Sequence, residues 1–407
     1  MVMNYLKPFM FFVGIISLTF CVPQGESIMT LDENIKVVSA SGIDSRHAYF
    51  SQGPDNLPVL CWSEKVDSLH YRLAFAKYNG EEFSEPVRVE ETYGLQIHGE
   101  SMGKVSINAS GVITVVFRIS APTKEKMFAG SMYYTQSFDN GETWTKREAL
   151  VTDTSSYSQS FFDLELLENG STGLVWLDSR GEKGKEGSSL FFGRFSQQGQ
   201  YLGEKSISSV TCQCCRTDIF TDSEGRIHVA YRKIFMDSVR DIAYIISEDN
   251  GDTFSDPVHM VQDNWVINGC PHTGPSLAEN KGDIGVAWFT LGGGEGIYFT
   301  GKTLKGGTFS QRVLVDKNGK HPQMVGAGGN RYILVYEKSE GKRRAIEMVV
   351  LDKEGKVMEE EIISGENYTA QYPVITSGNN ELLVSWMEER DSVQQVVWRK
   401  ITTLASM

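Results

Sequence analysis

Short apolar runs that end in an aromatic residue recur along the whole chain, as in DNLPVLCW, STGLVW and ELLVSW. Seven such runs end at Trp62, Phe117, Trp176, Tyr231, Trp288, Tyr336 and Trp386. Most of them follow a turn rich in Gly, Asn or Asp, and β-branched runs between such turns are typical of short strands. The pattern therefore predicts an all-β protein.

The seven aromatic residues stand 48 to 59 residues apart, with a mean spacing of 54. Such regular spacing indicates a repeat architecture in which each unit is one supersecondary structure. The unit around Tyr231 contains four strand-like segments joined by short turns (CRTDIFT, RIHVAYRKI, DIAYIIS and DPVHMVQ). Four antiparallel strands per unit form the blade of a β-propeller. We predict a single-domain β-propeller of seven four-stranded blades, with six blades and one irregular unit as the alternative.

The two ends of the repeat array indicate how the ring closes. The last unit shows three strands (AQYPVITS, ELLVSWME and QQVVWRKI), and an unassigned strand-like segment, ENIKVVSAS, precedes the first unit near residues 33–41. We expect this N-terminal strand to supply the missing outer strand of the last blade. The propeller domain is predicted to span residues 33–404.

The N-terminus has the pattern of an export signal. Lys7 precedes an apolar run from Phe9 to Phe20, which is too short to remain as a membrane-spanning helix. We predict a signal peptide at residues 1–21. Its end, LTFC, resembles a lipoprotein cleavage box, so a lipid anchor at Cys21 stands beside plain secretion and an uncleaved anchor. The protein is expected to be extracytoplasmic, either periplasmic, at the outer surface or secreted, and the lipid-anchor alternative at Cys21 is the one link to a membrane that the sequence offers.

The charge balance argues against some partners. The net charge is -13 and the sequence pI is about 5.1, so the chain offers no basic field for nucleic acid or anionic lipid. Nucleic-acid binding is therefore not expected. The sequence does not fix the oligomeric state.

Two turns resemble a known repeat. SFDNGETW at Ser137–Trp144 and SEDNGDTF at Ser247–Phe254 both match S-x-D-x-G-x-x-[WF], and they occupy the same place in the second and fourth units. This pattern resembles the Asp-box, or bacterial neuraminidase repeat, of the sialidase-like β-propeller superfamily. The resemblance implies a structural role, in which Asp139 and Asp249 accept turn N–H bonds and glycine allows a positive φ.

In that superfamily the boxes lie on the face away from the active site. The resemblance therefore implies that functional residues gather at the opposite mouth of the central channel. Sialidase chemistry needs three arginines for the sugar carboxylate, a tyrosine activated by a glutamate and an aspartic acid. The R-I-P arginine motif of family members is absent here, and no catalytic residue is fixed by the sequence. Candidate residues for binding an anionic saccharide or another small ligand are Arg118, Arg180, Arg216, Arg232, Asp218, His98 and His321.

Fixed offsets from the aromatic residues place further side chains at this mouth. Counting back 16 residues from Tyr231 and Trp288 reaches Cys215 and His272, and the same count in other units falls beside His47 and His321. Glu337, Glu388, Glu389 and Tyr372 also fall at strand ends or entries on this face. Any of them can serve as an acid, a base or a nucleophile partner, and the sequence fixes no pair.

The stretch TCQCCRTD places three of the chain's six cysteines within four positions. Three uses are open: a disulfide between blades, for example Cys270 with Cys212 or Cys214; a soft-metal site; or a redox or nucleophilic thiol. Thiolates with imidazole suit copper(I) or zinc. The candidate metal ligands are Cys212, Cys214, Cys215, Cys270 and His272.

Three functions follow from these patterns. The leading one is a sialidase-like propeller that acts on or binds an anionic glycan at the channel mouth, as an exo-glycosidase or a non-catalytic relative. The alternative is an extracytoplasmic propeller that binds copper or zinc through the Cys/His cluster. The third is a scaffold for protein contacts.

Overall fold

The computed structural model describes residues 29–32, 34–267, 269, 271–378 and 381–403. The predicted signal peptide with Cys21, and also Cys270, lie outside these residues. The described chain contains 29 strands and one short 3-10 helix, Glu90–Thr92. None of the described helices has the length and apolar character needed to cross a membrane. The prediction of an all-β fold is confirmed.

The strands follow one another in antiparallel sets along the chain. Two N-terminal strands and the first two blades are β1 (Met29–Leu31), β2 (Lys36–Val37), β3 (Ser45–Gln52), β4 (Pro58–Lys65), β5 (Tyr71–Lys77), β6 (Val87–Val89), β7 (Lys104–Ile107), β8 (Ile113–Ser120), β9 (Gly130–Ser137) and β10 (Glu148–Ala149). The next two blades are β11 (Gln159–Leu166), β12 (Thr172–Asp178), β13 (Ser188–Phe195), β14 (Tyr201–Thr211), β15 (Asp218–Thr221), β16 (Ile227–Phe235), β17 (Val239–Ser247) and β18 (Val258–His259). The last three are β19 (Ser276–Asn280), β20 (Asp283–Thr290), β21 (Gly296–Thr303), β22 (Val313–Asp316), β23 (Gly319–Ala327), β24 (Arg331–Glu340), β25 (Arg343–Asp352), β26 (Val357–Ile362), β27 (Ala370–Gly378), β28 (Glu381–Arg390) and β29 (Val393–Thr403).

The first strand of each blade lies at the centre of a closed ring. These inner strands, β3, β7, β11, β15, β19, β23 and β27, contact one another in chain order, and β27 contacts β3 again. Within each blade, consecutive strands pair outward from the inner strand. This arrangement agrees with the seven predicted blades, and it leaves only short edges at the rim.

The N-terminal strands close the ring. β2 pairs with β29 through Lys36 and Trp398, inside the segment for which this role was predicted. β1 also pairs with β29, from Met29 to Leu31, and forms a second, upstream clasp. The last blade is thus built from both ends of the described chain, as the sequence predicts.

The seven aromatic residues that mark the repeat all lie in the second strand of their blades. Each is at most 1% exposed, and each packs between neighbouring sheets. Burial of one such side chain stabilises the fold by about 1.5–3 kcal/mol. The period seen in the sequence is therefore the period of the core.

Both Asp-boxes form the hydrogen bonds expected of them. Asp139 accepts bonds from the Ser137 hydroxyl (2.8 Å) and the Thr143 amide (2.9 Å), and Gly141 has a φ of 97°. Asp249 repeats these contacts in the fourth blade, where Thr253 donates at 2.8 Å. Because these bonds all stay within one turn, the boxes stabilise the hairpins that carry them.

Carboxylates fasten the inner strand of the third blade to that of the fourth. Asp163 accepts from the Ile219 amide (3.1 Å) and Glu165 from the Thr221 amide (2.9 Å), and both bonds join residues 56 positions apart. These separations are close to the mean repeat of 54 residues. Burial raises the pKa of Glu165 to about 8, although the bond from Thr221 acts in the opposite direction.

Replacing Glu165 by glutamine is expected to flatten the dependence of stability on pH. Between its usual pKa near 4.5 and its folded value near 8, the folded protein holds a proton that the unfolded chain has released. The free energy of unfolding should therefore fall as pH rises through this window, by at most about 1.4 kcal/mol per pH unit. Glutamine keeps the acceptor for Thr221 and cannot ionise. Urea unfolding at about pH 5 and about pH 8 measures the difference, with exposed Glu142→Gln as the control. Equal slopes in wild type and Glu165→Gln would contradict the expectation.

Candidate functional site

A backbone irregularity recurs at the start of several inner strands. His47, Phe161, His321 and Tyr372 each have a positive φ of 51° to 55° and sit where the pairing with the second strand shifts register. Such bulges re-aim a side chain, and a positive φ in a non-glycine residue costs about 1–3 kcal/mol. Strain repeated at equivalent positions around the ring points to a functional site at the start of the inner strands.

One half of this site is built around Tyr372. Its ring stacks on His321, with 4.8 Å between ring centroids, and meets His47 edge-on at 5.3 Å. Gly99 approaches the same ring so closely that a Cβ there would lie 2.2 Å from the Tyr372 ring. Within the described residues, the Tyr372 hydroxyl has no hydrogen-bond partner. Three blades thus hold the ring in place and leave its hydroxyl available.

Glu337, in β24, ties this half together. Its carboxylate contacts His321 Nδ1 at 2.9 Å and accepts from the Tyr372 amide at 2.7 Å. Arg344 on the next strand lies 3.5 Å from the other carboxylate oxygen, and its side chain is 49% exposed. Glu337 itself is buried. The carboxylate therefore fixes both rings and holds one solvent-facing cation beside them.

The other half consists of His98, Phe161 and His272. The two imidazole rings lie 5.3 Å apart, and His98 also meets Phe161 edge-on at 5.3 Å. His98 is half-buried, whereas His272 is exposed. These rings come from loops or strands of the second, third and fifth blades.

Arg216 of the fourth blade joins the two halves. Its Nε lies 3.2 Å from a carboxylate oxygen of Glu100, and both residues are buried. Its Nη2 donates to three backbone carbonyls, of Gly274, Pro275 and Pro322. The Arg216 Nε and the Glu100 Oε2 make no hydrogen bond with the described residues. We call the set His47, His98, Glu100, Phe161, Arg216, His272, His321, Glu337, Arg344 and Tyr372 the channel mouth.

Burial keeps two histidines of the channel mouth neutral. It lowers the pKa of His47 to about 3, and the charges of His98 and Arg46 act in the same direction. Burial also lowers the pKa of His98, with a contribution from the charge of His272. A neutral imidazole has the form required of a base, but a pKa as low as that of His47 makes it a weak one at neutral pH, so His98 is the better candidate.

His321 has the opposite protonation preference. Burial by itself lowers its pKa, but the hydrogen bond with Glu337 and the charge of Glu100 raise that pKa above its usual value. The Glu337 pKa is correspondingly held low, mainly by the same hydrogen bond against the effect of burial. Burial and the charges of Glu337 and Glu100 raise the pKa of Tyr372. His321 and Glu337 thus favour the imidazolium and the carboxylate forms, and the neighbouring Tyr372 hydroxyl stays protonated.

The structure does not gather the four candidate arginines at one point. Arg118 donates to the Gln159 and Phe128 carbonyls, and Arg232 donates to the Arg240 and Phe289 carbonyls, so both join backbone segments. Arg180 pairs with Asp178 (2.7 Å) and Glu204 (2.7 Å) on the third blade. Asp218 accepts from the Leu277 amide at 2.5 Å, which fastens two inner strands. Of this candidate set, Arg216, His98 and His321 lie in the channel mouth.

The candidate metal ligands are only partly brought together. The sulfur atoms of Cys212, Cys214 and Cys215 all lie within 4.8 Å of one another. His272 is not in that group and instead contacts His98 and Phe161. Cys270 lies outside the described residues. Cys61 lies in β4, distant in sequence from this cluster. It is buried and forms no disulfide with the described residues, and its thiol points at the Gly103 carbonyl.

Sequence reasoning overlooked two members of the site. Phe161 stands 15 residues before Trp176, as His47, Arg216 and His321 stand before their own aromatic residues, so the offset could have found it. Arg344 follows a hairpin turn on the sixth blade and shares no offset with the other members. Its place beside Glu337 follows from the fold alone.

Comparisons with known proteins agree with this architecture. The profile of the family described as BNR repeat-like domain matches residues 71–384. No curated protein matches the sequence. A protein of unknown function from Dyadobacter fermentans has 16% identity and a TM-score of 0.55, over 92% of this chain and 99% of its own. The polysaccharide lyase Uly1 has 12% identity and a TM-score of 0.55 (90% and 94%). A Hadza microbial sialidase has 13% identity and a TM-score of 0.51 (92% of each chain).

Proposed function

The chain belongs to the BNR repeat-like family of the sialidase-like β-propeller superfamily, and from this premise we propose that its channel mouth binds the acidic sugar of an anionic saccharide and cleaves the chain beside it by β-elimination. One observation carries the proposal. Neutral His98 and the free hydroxyl of Tyr372 flank a mouth that also contains Arg216 and an imidazolium-favouring His321. A neutral imidazole can remove a proton next to a carboxylate, and a free hydroxyl can protonate a leaving oxygen.

The preference for an anion rests on the charges around Tyr372. Arg216, Arg344 and His321 supply three positive charges, and Glu100 and Glu337 supply two negative ones. The mouth therefore carries local positive charge in a chain whose net charge is -13. Arg344 is exposed, and a guanidinium can hold a carboxylate or a sulfate through two parallel bonds.

The proposed step needs no group beyond this chain and the sugar. His98 takes the proton from the carbon that bears the carboxylate, and the electron pair left behind forms a double bond to the neighbouring carbon. The bond from that neighbouring carbon to the glycosidic oxygen breaks, and Tyr372 gives its proton to this oxygen. Arg216 and His321 stabilise the charge that builds on the carboxylate. Solvent then takes the proton from His98 and returns one to Tyr372.

Hydrolysis of the sialidase type fits the channel mouth less well. It needs three arginines around one carboxylate and a tyrosine activated by a glutamate. The described mouth has Arg216 and Arg344, and the Tyr372 hydroxyl makes no bond to a carboxylate there. The Glu337 carboxylate bonds His321 and the Tyr372 amide instead of that hydroxyl. We therefore place elimination ahead of hydrolysis.

A panel of substrates tests the proposal directly. Purified protein is incubated with uronate-containing polysaccharides and, separately, with sialosides. We expect ultraviolet absorbance from unsaturated uronate ends in the first set and no free sialic acid in the second. Loss of that absorbance in His98→Ala, with full activity in His70→Ala, a partly exposed histidine of the first blade, would assign it to the channel mouth. Release of sialic acid would favour hydrolysis instead, and no product from either set would remove both enzymatic functions.

The pH profile provides a second test of this mechanism. Glu337 raises the pKa of His321, so the proposal predicts that kcat/KM falls on the alkaline side as His321 loses its proton. Replacing Glu337 by glutamine keeps an acceptor for the Tyr372 amide but removes the charge. The alkaline limb of the profile should then move to lower pH. An unmoved limb in Glu337→Gln would show that His321 does not act as a cation.

A further inference from the structure

Three thiols lie close together in the turn that directly precedes Arg216. Cys212, Cys214 and Cys215 lie in a turn after β14, with their side chains buried and that of Gln213 exposed between them. The Cys212 sulfur lies 3.8 Å from the sulfur of Cys214 and 3.8 Å from that of Cys215. Cys212 precedes Gln213 in this turn, and Cys214 and Cys215 follow it. Because all three cysteines point inward, their sulfur atoms form one compact group.

These distances match a metal site better than a disulfide. A disulfide requires its two sulfur atoms to lie about 2.05 Å apart. Thiolates around one ion at a metal–sulfur distance of about 2.3 Å lie about 3.8 Å apart in tetrahedral geometry, and about 4.0 Å apart in a trigonal plane. The observed 3.8 Å separations fall at the tetrahedral value without any movement of the chain.

Two buried cations accompany the thiols. Arg240 Nη1 lies 3.5 Å from the Cys212 sulfur, and its Nη2 contacts Glu186. Arg232 is 1% exposed, donates to backbone carbonyls and has no carboxylate partner among the described residues. Its Nε makes no hydrogen bond within the described chain. The Arg232 guanidinium lies 4.8 Å from the centroid of the Trp265 ring, and the Arg232 carbonyl accepts from the Cys212 amide at 2.9 Å. The aromatic ring compensates a buried guanidinium only in part, and thiolates in the adjoining turn would add the negative charge that this region lacks.

We propose that Cys212, Cys214 and Cys215 bind one thiophilic metal ion, Cu(I) or Zn(II), as thiolates. Both ions are soft or borderline and favour sulfur ligands. Binding releases the thiol protons to solvent and leaves the sulfur charges to be shared by the ion, Arg232 and Arg240. Because Arg216 directly follows Cys215, the ion would fix the start of the segment that places Arg216 in the channel mouth.

Metal titration of the full chain tests the site without any substitution. Reduced protein is titrated anaerobically with Cu(I) and, separately, with Zn(II), and bound metal is measured by elemental analysis and X-ray absorption. We expect one equivalent of at least one ion, with sulfur neighbours at about 2.3 Å. The ion that binds more tightly identifies the preferred metal. Absence of sulfur-bound metal in both titrations, or a disulfide that includes one of the three cysteines, would overturn the proposal.

Single serine substitutions locate the ion. We expect metal affinity to fall by more than about 100-fold in each of Cys212→Ser, Cys214→Ser and Cys215→Ser. Loss of a residue that only supports a ligand usually lowers metal affinity about 10- to 100-fold, and loss of the ligand itself should lower it further. Arg240→Gln should weaken it about 10-fold. Cys61→Ser, which removes a buried free thiol elsewhere, should bind as wild type does. Equal affinity in the Cys61 and Cys215 variants would place the metal at another site. The wild-type titration remains decisive if a serine variant does not fold.

Discussion

Phenylalanine in place of Tyr372 is expected to lower kcat/KM for the cleaved saccharide by about 10²- to 10⁴-fold, the usual contribution of a positioned general acid. The ring contacts with His321, His47 and Gly99 are all retained in this variant. The hydroxyl has no partner among the described residues, so its removal leaves no donor or acceptor unsatisfied there. Stability and saccharide affinity should therefore stay close to wild type while turnover is lost.

The control for this variant is Tyr93→Phe. Tyr93 is an exposed tyrosine whose hydroxyl bonds Asp67 on the first blade. Rates are measured from the absorbance of the unsaturated product, and affinity from saccharide binding to the inactive variant. If Tyr372→Phe keeps more than about one tenth of the wild-type rate, another group protonates the leaving oxygen. If only KM rises, Tyr372 positions the sugar and is not the acid.

The fold could be predicted from the sequence because the residues that repeat are the ones that form the core. Each aromatic residue of the period is buried in the second strand of a blade, and the turns between strands keep their glycine and aspartate signals. The N-terminal strand was predictable for a related reason, since the last unit lacked a fourth strand. β1 was not expected, because residues 29–31 carry no alternating pattern long enough to mark a strand.

The channel mouth was predictable only in part. Fixed offsets locate His47, His98, His272 and His321, since every inner strand begins at a similar distance before its aromatic residue. The arginines that follow the aromatic residues were less informative. Arg118 and Arg232 use backbone carbonyls as partners, including those of residues 41 and 57 positions away, and a carbonyl leaves no mark in the sequence. The sequence thus indicates which arginines stand near the mouth, but not which of them already use their donors on backbone carbonyls.

Methionine in place of Arg216 is expected to destabilise the protein by about 3–5 kcal/mol, because it leaves the buried Glu100 carboxylate without its partner. It should also abolish binding of the acidic saccharide. Stability loss alone could explain the second effect, so a companion variant is needed. In Arg216→Met with Glu100→Gln the uncompensated charge is gone, and most of the lost stability should return. The carbonyls of Gly274, Pro275 and Pro322 still lack their donor, so recovery should be incomplete.

The double variant separates the two roles of Arg216. Urea unfolding gives the stability of each variant, and titration with the acidic oligosaccharide gives the affinity. If Arg216 contacts the saccharide, the double variant stays unable to bind although it is folded, and Glu100→Gln alone binds more tightly than wild type because its arginine is no longer neutralised. If the double variant regains binding, Arg216 acts only by holding Glu100 and the neighbouring carbonyls. The anion would then be bound by Arg344 and His321, the two cations that lie beside Glu337.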